Sequence, residues 1–160
     1  MSETVHPVPE DFNGRFGLAE VEGLYTLADS DPERFWLEQA KRLDWQQFPQ
    51  QTGDWSFEES DFHVRWYADG KLNLSVNCLD RHLQDHGDRT AIIFEADEPG
   101  KGRSLTYREL YEETCRFANL LKARGIGRGD RVMIYMPMIP EAAAAMLACA
   151  RIGAIHSVIF

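Results

Sequence analysis

No run of lysines and arginines occurs anywhere in these 160 residues, and 17 basic side chains face 26 acidic ones for a net charge of −9. A chain with that balance and no basic block is not made to neutralise a phosphodiester backbone, so nucleic acid is not an expected partner. Acidity of this size serves solubility and says little about fold. Cysteine is scarce. Cys78, Cys115 and Cys149 are odd in number, none pairs as C-x-x-C, and each lies in a helix-like segment. Reduced structural thiols in the cytosol are the expectation. The opening "MSETVHPVPEDF" has neither a basic n-region nor an apolar h-region, so no secretory signal is read and a cytoplasmic location is expected. Long apolar runs are missing too. The longest, near the last residues, is broken by Pro137, Pro140, Glu141, Arg151 and Gly153, which excludes a membrane span there. Internal repeats, low-complexity tracts, G-x-x-x-x-G-K-[ST] and G-x-G-x-x-G are all absent.

What is present is a globular composition, 44% hydrophobic with four Trp, far from the disordered class. Three zones differ in texture. Residues 1–30 read as a polar arm with a frayed start that packs on something larger. Residues 31–89 form an aromatic-rich cap. "SDPERFWLEQAKRLDW" offers Asp31 as N-cap and Pro32 at the first helical position, with Phe35, Trp36, Ala40 and Leu43 on one face. A loop carrying Trp45, Phe48, Trp55 and Phe57 is expected next. "DFHVRWYADGK" then alternates, Phe62, Val64 and Trp66 on one side and His63, Arg65 and Tyr67 on the other, before an Asp69-Gly70 turn. "LNLSVNCLDRHLQDHG" reads as one amphipathic helix with Leu79 and Leu83 inward and Gly87 as its stop. So much aromatic surface in so short a stretch is expected to cover a neighbouring domain.

Residues 90–160 change character. "TAIIFEA" and "RSLTY" read as a hairpin. Thr106 and Glu109 form a T-x-x-E capping box, and the following helix carries Leu110, Phe117, Ala118 and Leu121 on one stripe up to Gly125. "RVMIYM", an Ala-rich helix from Pro140 to Gly153, and "AIHSVIF" make a βαβ unit, which implies a parallel pair with a right-handed crossover. "HSVIF" reads as a strand buried on both faces, needing sheet neighbours and a helix cover.

Few residues offer chemistry. Gly125, Gly127 and Gly129 follow a helix and precede a strand, the reverse of a phosphate-cradling loop, so they read as a helix stop and turn. Cys78, His82 and His86 recur at i, i+4, i+8, yet three ligands on successive turns of one straight helix close a tetrahedron poorly, so no zinc site is assigned. Glu109, Glu112 and Glu113 share one helix and are expected to face water rather than each other across a cleft. His156 and Ser157 are adjacent in a strand and point to opposite faces, so they are no nucleophile–base pair.

Three stretches taken together, "FWLEQAKRLDWQQF…DFHVRWYADGKLN", "LNLSVNCLDRHLQDHGDRTAIIFEAD" and "LTYRELYEETCRFANLLKARGIGRGDRVMIYMPMIPEAAAAMLACARIGAIHSVIF", resemble the N-terminal region of AMP-forming acetyl-CoA synthetases, within the acyl-adenylate-forming superfamily. The resemblance runs from about Leu24 to Phe160. "LTYRELYEE" and "GDRV" are shared across the superfamily, while the combination of "WYADGKLN", "NCLDRHL", the Ala-rich stretch and the preceding aromatic arm is specific to short-chain acyl-CoA synthetases.

The resemblance implies a ligase that joins acetate to ATP as acetyl-adenylate, releasing pyrophosphate, and then passes the acetyl group to coenzyme A, giving acetyl-CoA and AMP. ATP, Mg²⁺ and coenzyme A are implied for the whole enzyme. In that family the phosphate loop, the adenine motif, the ribose-binding Asp, the hinge Arg and the catalytic Lys all follow the region resembled. No catalytic, cofactor-binding or metal-binding position is therefore assigned within this chain, and none of its residues is expected to hold a cofactor.

The fold expectation is α/β. A polar arm (1–30) and an aromatic-rich α+β cap (31–89) precede the first βαβ part of a larger, here incomplete, parallel-sheet synthetase domain (90–160). The expected partners are the remainder of the synthetase and, through an open sheet edge, a second copy of the chain. The piece alone is expected to be inactive. A propionyl-CoA or other short-chain acyl-CoA synthetase, and a stand-alone protein-interaction module, remain as alternatives.

Overall fold

The computed structural model describes residues 17–159. Residues 1–16 of the polar arm, and Phe160 of the last predicted strand, lie outside the described residues. The chain divides into two compact units, each with a stretch of sequence from either side of the other.

The first unit holds residues 17–42 and Gln51–Ala68. Helix α1 (Leu18–Ser30) has no buried residue. Helix α2 (Pro32–Ala40) begins as its sequence requires: Pro32 occupies the first turn and the Asp31 carboxylate accepts the Arg34 backbone N–H at 3.1 Å. It ends at Ala40, so Leu43, predicted on its face, lies beyond it and is exposed. Strands β1 (Gly53–Ser56) and β2 (His63–Trp66) pair antiparallel with Trp55 opposite Val64 and Gly53 opposite Trp66. The expected loop around Trp55 is thus a strand. An isolated four-residue segment with one Trp gives no alternation to read; its pairing with the alternating β2 makes it a strand.

The second unit holds Leu43–Gln50 and residues 69–159. The predicted single helix after Leu72 is three pieces: α3 (Leu74–Cys78), a 3₁₀ turn (Asp80–His82) and α4 (Leu83–His86). Leu79 leaves the helical region (φ −123°, ψ −65°) to bury its side chain, 1% exposed, against Leu110 and Ala144. Asn77 meanwhile exchanges two hydrogen bonds with the Asp44 backbone, at 2.8 and 2.9 Å. These tertiary bonds and the burial of Leu79 outweigh helix continuation, which at this length is marginal anyway. Gly87 ends α4 with right-handed dihedrals. Its missing side chain matters for packing instead, since a Cβ there would meet the Arg108 guanidinium and the Leu83 carbonyl.

Strands β3 (Thr90–Phe94) and β4 (Arg103–Thr106) form the predicted hairpin, with a bulge between Thr90 and Ile92. Helix α5 (Tyr107–Ala123) opens with the full capping box: Thr106 Oγ1 accepts from the Glu109 N–H and the Glu109 carboxylate from the Thr106 N–H. Strand β5 (Arg131–Tyr135), helix α6 (Pro140–Ile152) and strand β6 (Ile155–Ile159) form the predicted βαβ unit, with β5 and β6 parallel and Val132 beside His156. Gly153, at φ +74°, supplies the left-handed turn that ends α6.

Small residues let α6 lie close. Ala145, Ala148 and Cys149 pack with Ala118 and Leu121 of α5, Ile134 of β5 and Ala154. That cover reaches one face of the parallel pair. Met133, Tyr135, Ile155 and Ile159 on the other face are exposed, Tyr135 by 80%. The strand expected to need cover on both faces thus has it on one. Among the described residues the pair has helices on one side only, because apolar residues on successive positions state a need for cover and do not supply it.

Candidate functional site

Ligands in open parallel sheets bind beyond the carboxyl ends of the strands, so the segment leaving β5 is the first place to look. Pro137 stops the strand, and Pro140 and Glu141 fill the first turn of α6. The Glu141 carboxylate pairs with Arg103 of β4, and that hydrogen bond holds it below the usual carboxylate range. Beside it opens a cavity of about 490 Å³ lined by Glu113, Arg116, Phe117 and Leu120 of α5, Met136, and Glu141 and Ala144 of α6.

The expectation that the α5 carboxylates all face water is corrected for one of them. Glu109 is spent on its cap, held low by the Thr106 N–H. Glu112 is exposed, 3.8 Å from Arg116. Glu113 lines the cavity, and its Oε2 is buried with no hydrogen-bond partner. Sequence reasoning looked along one helix and missed that a second helix brings Glu141 to the same cavity. One ion-paired and one unpaired carboxylate, with Arg116 beside them and Phe117, Leu120 and Met136 around them, make a partly apolar recess of mixed charge. No nucleophile lines it.

Gly125, Gly127 and Gly129 do lie between α5 and β5, with the Gly127 N–H given to Asp130 Oδ2 at 2.8 Å. They turn the chain from helix α5 into strand β5. The break at Leu79 separates Cys78 from His82 and His86. The two imidazoles stack at 6.3 Å, and among the described residues no three His, Cys, Asp or Glu side chains gather as a metal site. His156 is half-buried and Ser157 exposed on opposite faces of β6. Cys149 is buried, which pushes its thiol up. Among the described residues no helix is long and apolar enough to cross a membrane.

Three arrangements were not legible beforehand. Arg151, at the end of α6, makes a two-pronged pair with Asp80 at 2.8 and 2.6 Å and donates to Ser75 Oγ at 3.1 Å. Asn73 caps α3 with its Oδ1 while its Nδ2 donates to the carbonyls of Ala150 and Arg151. The start of α3 and the end of α6 are thus clasped. In the first unit, His63 of β2 sits between two acceptors: Nε2 lies 3.1 Å from Asp54 Oδ1 and Nδ1 lies 2.9 Å from the Asp61 carbonyl. Only the imidazolium can donate to both. Asp54 is the larger cause of a raised imidazole pKa, the Asp61 carbonyl the next, and the same bond lowers Asp54. On the other face of that hairpin Trp36, Trp55 and Trp66 group ring against ring. Trp spacing alone gave no hint of either cluster.

Comparison with known proteins gives two family matches in succession. Residues 21–78 match the acetyl-coenzyme A synthetase N-terminus, and residues 79–160 match the AMP-binding enzyme family. Among curated relatives, the acetyl-coenzyme A synthetase of Novosphingobium aromaticivorans is 52% identical over all of this chain and 25% of its own length. That of Bradyrhizobium diazoefficiens is 50% identical with the same coverage. That of Caulobacter vibrioides is 51% identical over 98% of this chain and 24% of its own. The chain spans about a quarter of the length of these relatives.

Proposed function

Since the chain belongs to the AMP-binding enzyme family, preceded by an acetyl-coenzyme A synthetase N-terminus, we propose that it forms the front quarter of an AMP-forming acetate–CoA ligase. The parent converts acetate, ATP and coenzyme A to acetyl-CoA, AMP and pyrophosphate through acetyl-adenylate. The observation that carries this is the order and contiguity of the two matches over nearly the whole chain. The parallel β5–α6–β6 unit, which begins the kind of sheet that binds nucleotides at its strand ends, supports it. Acetate is preferred to propionate as substrate on the names of the relatives.

In this reading residues 1–30 are an arm, residues 31–89 a cap region and residues 90–160 the start of the large domain. The chain's partner is the rest of the synthetase. ATP, Mg²⁺ and coenzyme A act in the parent. The glycine turn after α5 follows a helix and precedes a strand, the reverse of a phosphate-cradling loop, so in this reading no chemical step runs through a residue described here. The contribution of this part is scaffolding, and by itself it turns over nothing.

The test is a chimera in which this chain replaces the first quarter of the Novosphingobium enzyme. Acetate-dependent AMP release, absent from the 160 residues alone, is the expected result. A folded chimera that makes no AMP, or AMP made by the isolated chain, contradicts the reading.

A further inference from the structure

We propose that the tryptophan face of the β1–β2 hairpin binds an arginine side chain presented by a partner polypeptide. The inference stands on the first unit alone and does not depend on the proposed activity. A cavity of about 530 Å³ opens there, lined by Trp36, Trp55 and Trp66 together with Glu33 and Asp54. Trp66 contacts both other indoles, each at 5.6 Å between ring centres, edge-on to Trp36 (70°) and tilted to Trp55 (32°). All three stay close to half exposed, at 41, 49 and 48%, so their faces are set by packing yet not consumed by it.

The backbone is shaped to hold them. Gly53 lies under the Trp55 ring where any Cβ would collide with it. Tyr67, next to Trp66, is the one non-glycine residue with positive φ (48°) among the described residues. It is held there by its N–H to the Thr52 carbonyl at 2.8 Å and by its hydroxyl to the Trp36 carbonyl at 2.9 Å. Strain maintained by specific bonds beside exposed aromatics marks a shaped surface rather than a frayed one.

Charge selects the ligand. Across the described part of this unit ten Asp and Glu face four Lys and Arg, namely Arg34, Lys41, Arg42 and Arg65. Glu33 and Asp54 both line the cavity; the Asp54 carboxylate is bound to His63 and Arg65, and Glu33 makes no such pair among the described residues. An indole face attracts a cation, and a guanidinium does so best because it is planar, weakly hydrated and able to stack while it bonds a carboxylate. Beyond the cavity the same side continues as Val64, opposite Trp55, and the Phe57–Phe62 ring pair, all exposed. A free small cation leaves that apolar strip bare. A polypeptide with apolar residues beside its arginine covers it.

The probe is the tripeptide Ac-Leu-Arg-Leu-NH₂, titrated into the 160-residue chain and followed by the indole Nε1–H NMR signals. Its citrulline twin, of the same shape without charge, and agmatine, the cation without flanking residues, are the other arms. Saturable shifts of the Trp36, Trp55 and Trp66 signals that spare Trp45 are expected. The citrulline twin and agmatine should each bind about threefold or more weaker. Glu33→Gln should weaken the arginine peptide by a similar factor and leave the citrulline peptide unchanged. Equal binding of the two peptides overturns the cation, equal binding of agmatine overturns the polypeptide, and an absence of saturable indole shifts overturns the site.

Discussion

The two units bury their apolar residues by different means. In the second, α5 and α6 close over one face of β5–β6, and residues such as Leu79, Ala148 and Cys149 are shut off from water. In the first, the buried hydrophobic side chain is Ala40, while Trp36, Trp55, Trp66, Phe57 and Phe62 touch one another in the open. The second unit is held by exclusion of water, the first by ring-to-ring contacts, a strained bend and short polar bonds. The difference teaches that aromatic content is a poor measure of core: the aromatic-rich segment has the smaller one.

The largest test of that contrast is a pair of truncations. Leu79→Ala removes a side chain that is 1% exposed at the centre of the Leu110–Ala144 cluster and should cost about 2–4 kcal/mol. Phe57→Ala removes a larger side chain from the first unit, but one 73% exposed, and should stay within about 0.5 kcal/mol. Urea unfolding followed by helical circular dichroism measures both. A Phe57→Ala loss equal to that of Leu79→Ala breaks the comparison.

Next in size is the Arg151–Asp80 clasp. Its side chains are 20 and 28% exposed, and the Tyr111 ring lies 5.0 Å from the guanidinium. Asp80 raises the Arg151 pKa further above its ordinary value, so the charge is permanent. Arg151→Met strands the Asp80 carboxylate and should cost about 2 kcal/mol, less than a fully buried pair because some water reaches it. Adding Asp80→Asn should return part of that loss, since the stranded charge goes with it. A double mutant as unstable as the sum of the singles removes the clasp from the account.

Smaller again is the cap of α5. Thr106→Ala deletes the hydroxyl that accepts the Glu109 N–H and should cost about 1 kcal/mol, read as earlier fraying in amide exchange at residues 107–110. This is also the element that the sequence announces most openly, and the reason is physical. Capping boxes, Pro at a first turn, Gly after a last one and the β–α–β rhythm are local signals, so α2, α5, α6 and the β3–β4 hairpin could all be read in advance. What could not be read rests on residues far apart in sequence. Asn77 reaches Asp44, Arg151 reaches Asp80, Asn73 reaches the end of α6, and together these cut one predicted helix into three. Glu113 and Glu141 meet at one cavity only because α5 and α6 pack. Strand β1 is visible only once β2 is there to pair with it.

The finest test concerns protons, and it separates the units by pH. In the first, the His63 imidazolium donates to Asp54 and to the Asp61 carbonyl. Its pKa is raised by those bonds and that of Asp54 is lowered. A group whose folded pKa lies above its unfolded value stabilises fully below the unfolded value, about 6.5 for His, and loses that contribution as pH climbs through the folded one. The depressed Asp54 works in the opposite sense: its share is present above the ordinary Asp value of about 3.9 and fades as pH falls through the lower, folded one. The β1–β2 pairing is therefore firmest between about pH 4 and 6.5 and loosens toward pH 8. Amide exchange at His63–Trp66, corrected for intrinsic rates, should show protection decline over that rise, with a His63 NMR titration midpoint above that of a free imidazole. His63→Gln keeps a neutral ring-sized polar group and should flatten the decline. The β5–β6 pair, whose His156 contacts no carboxylate among those described, serves as the internal control. A decline of equal size there would trace the effect to net charge on the whole chain, and a His63 midpoint at or below the free value would dissolve the imidazolium bridge altogether.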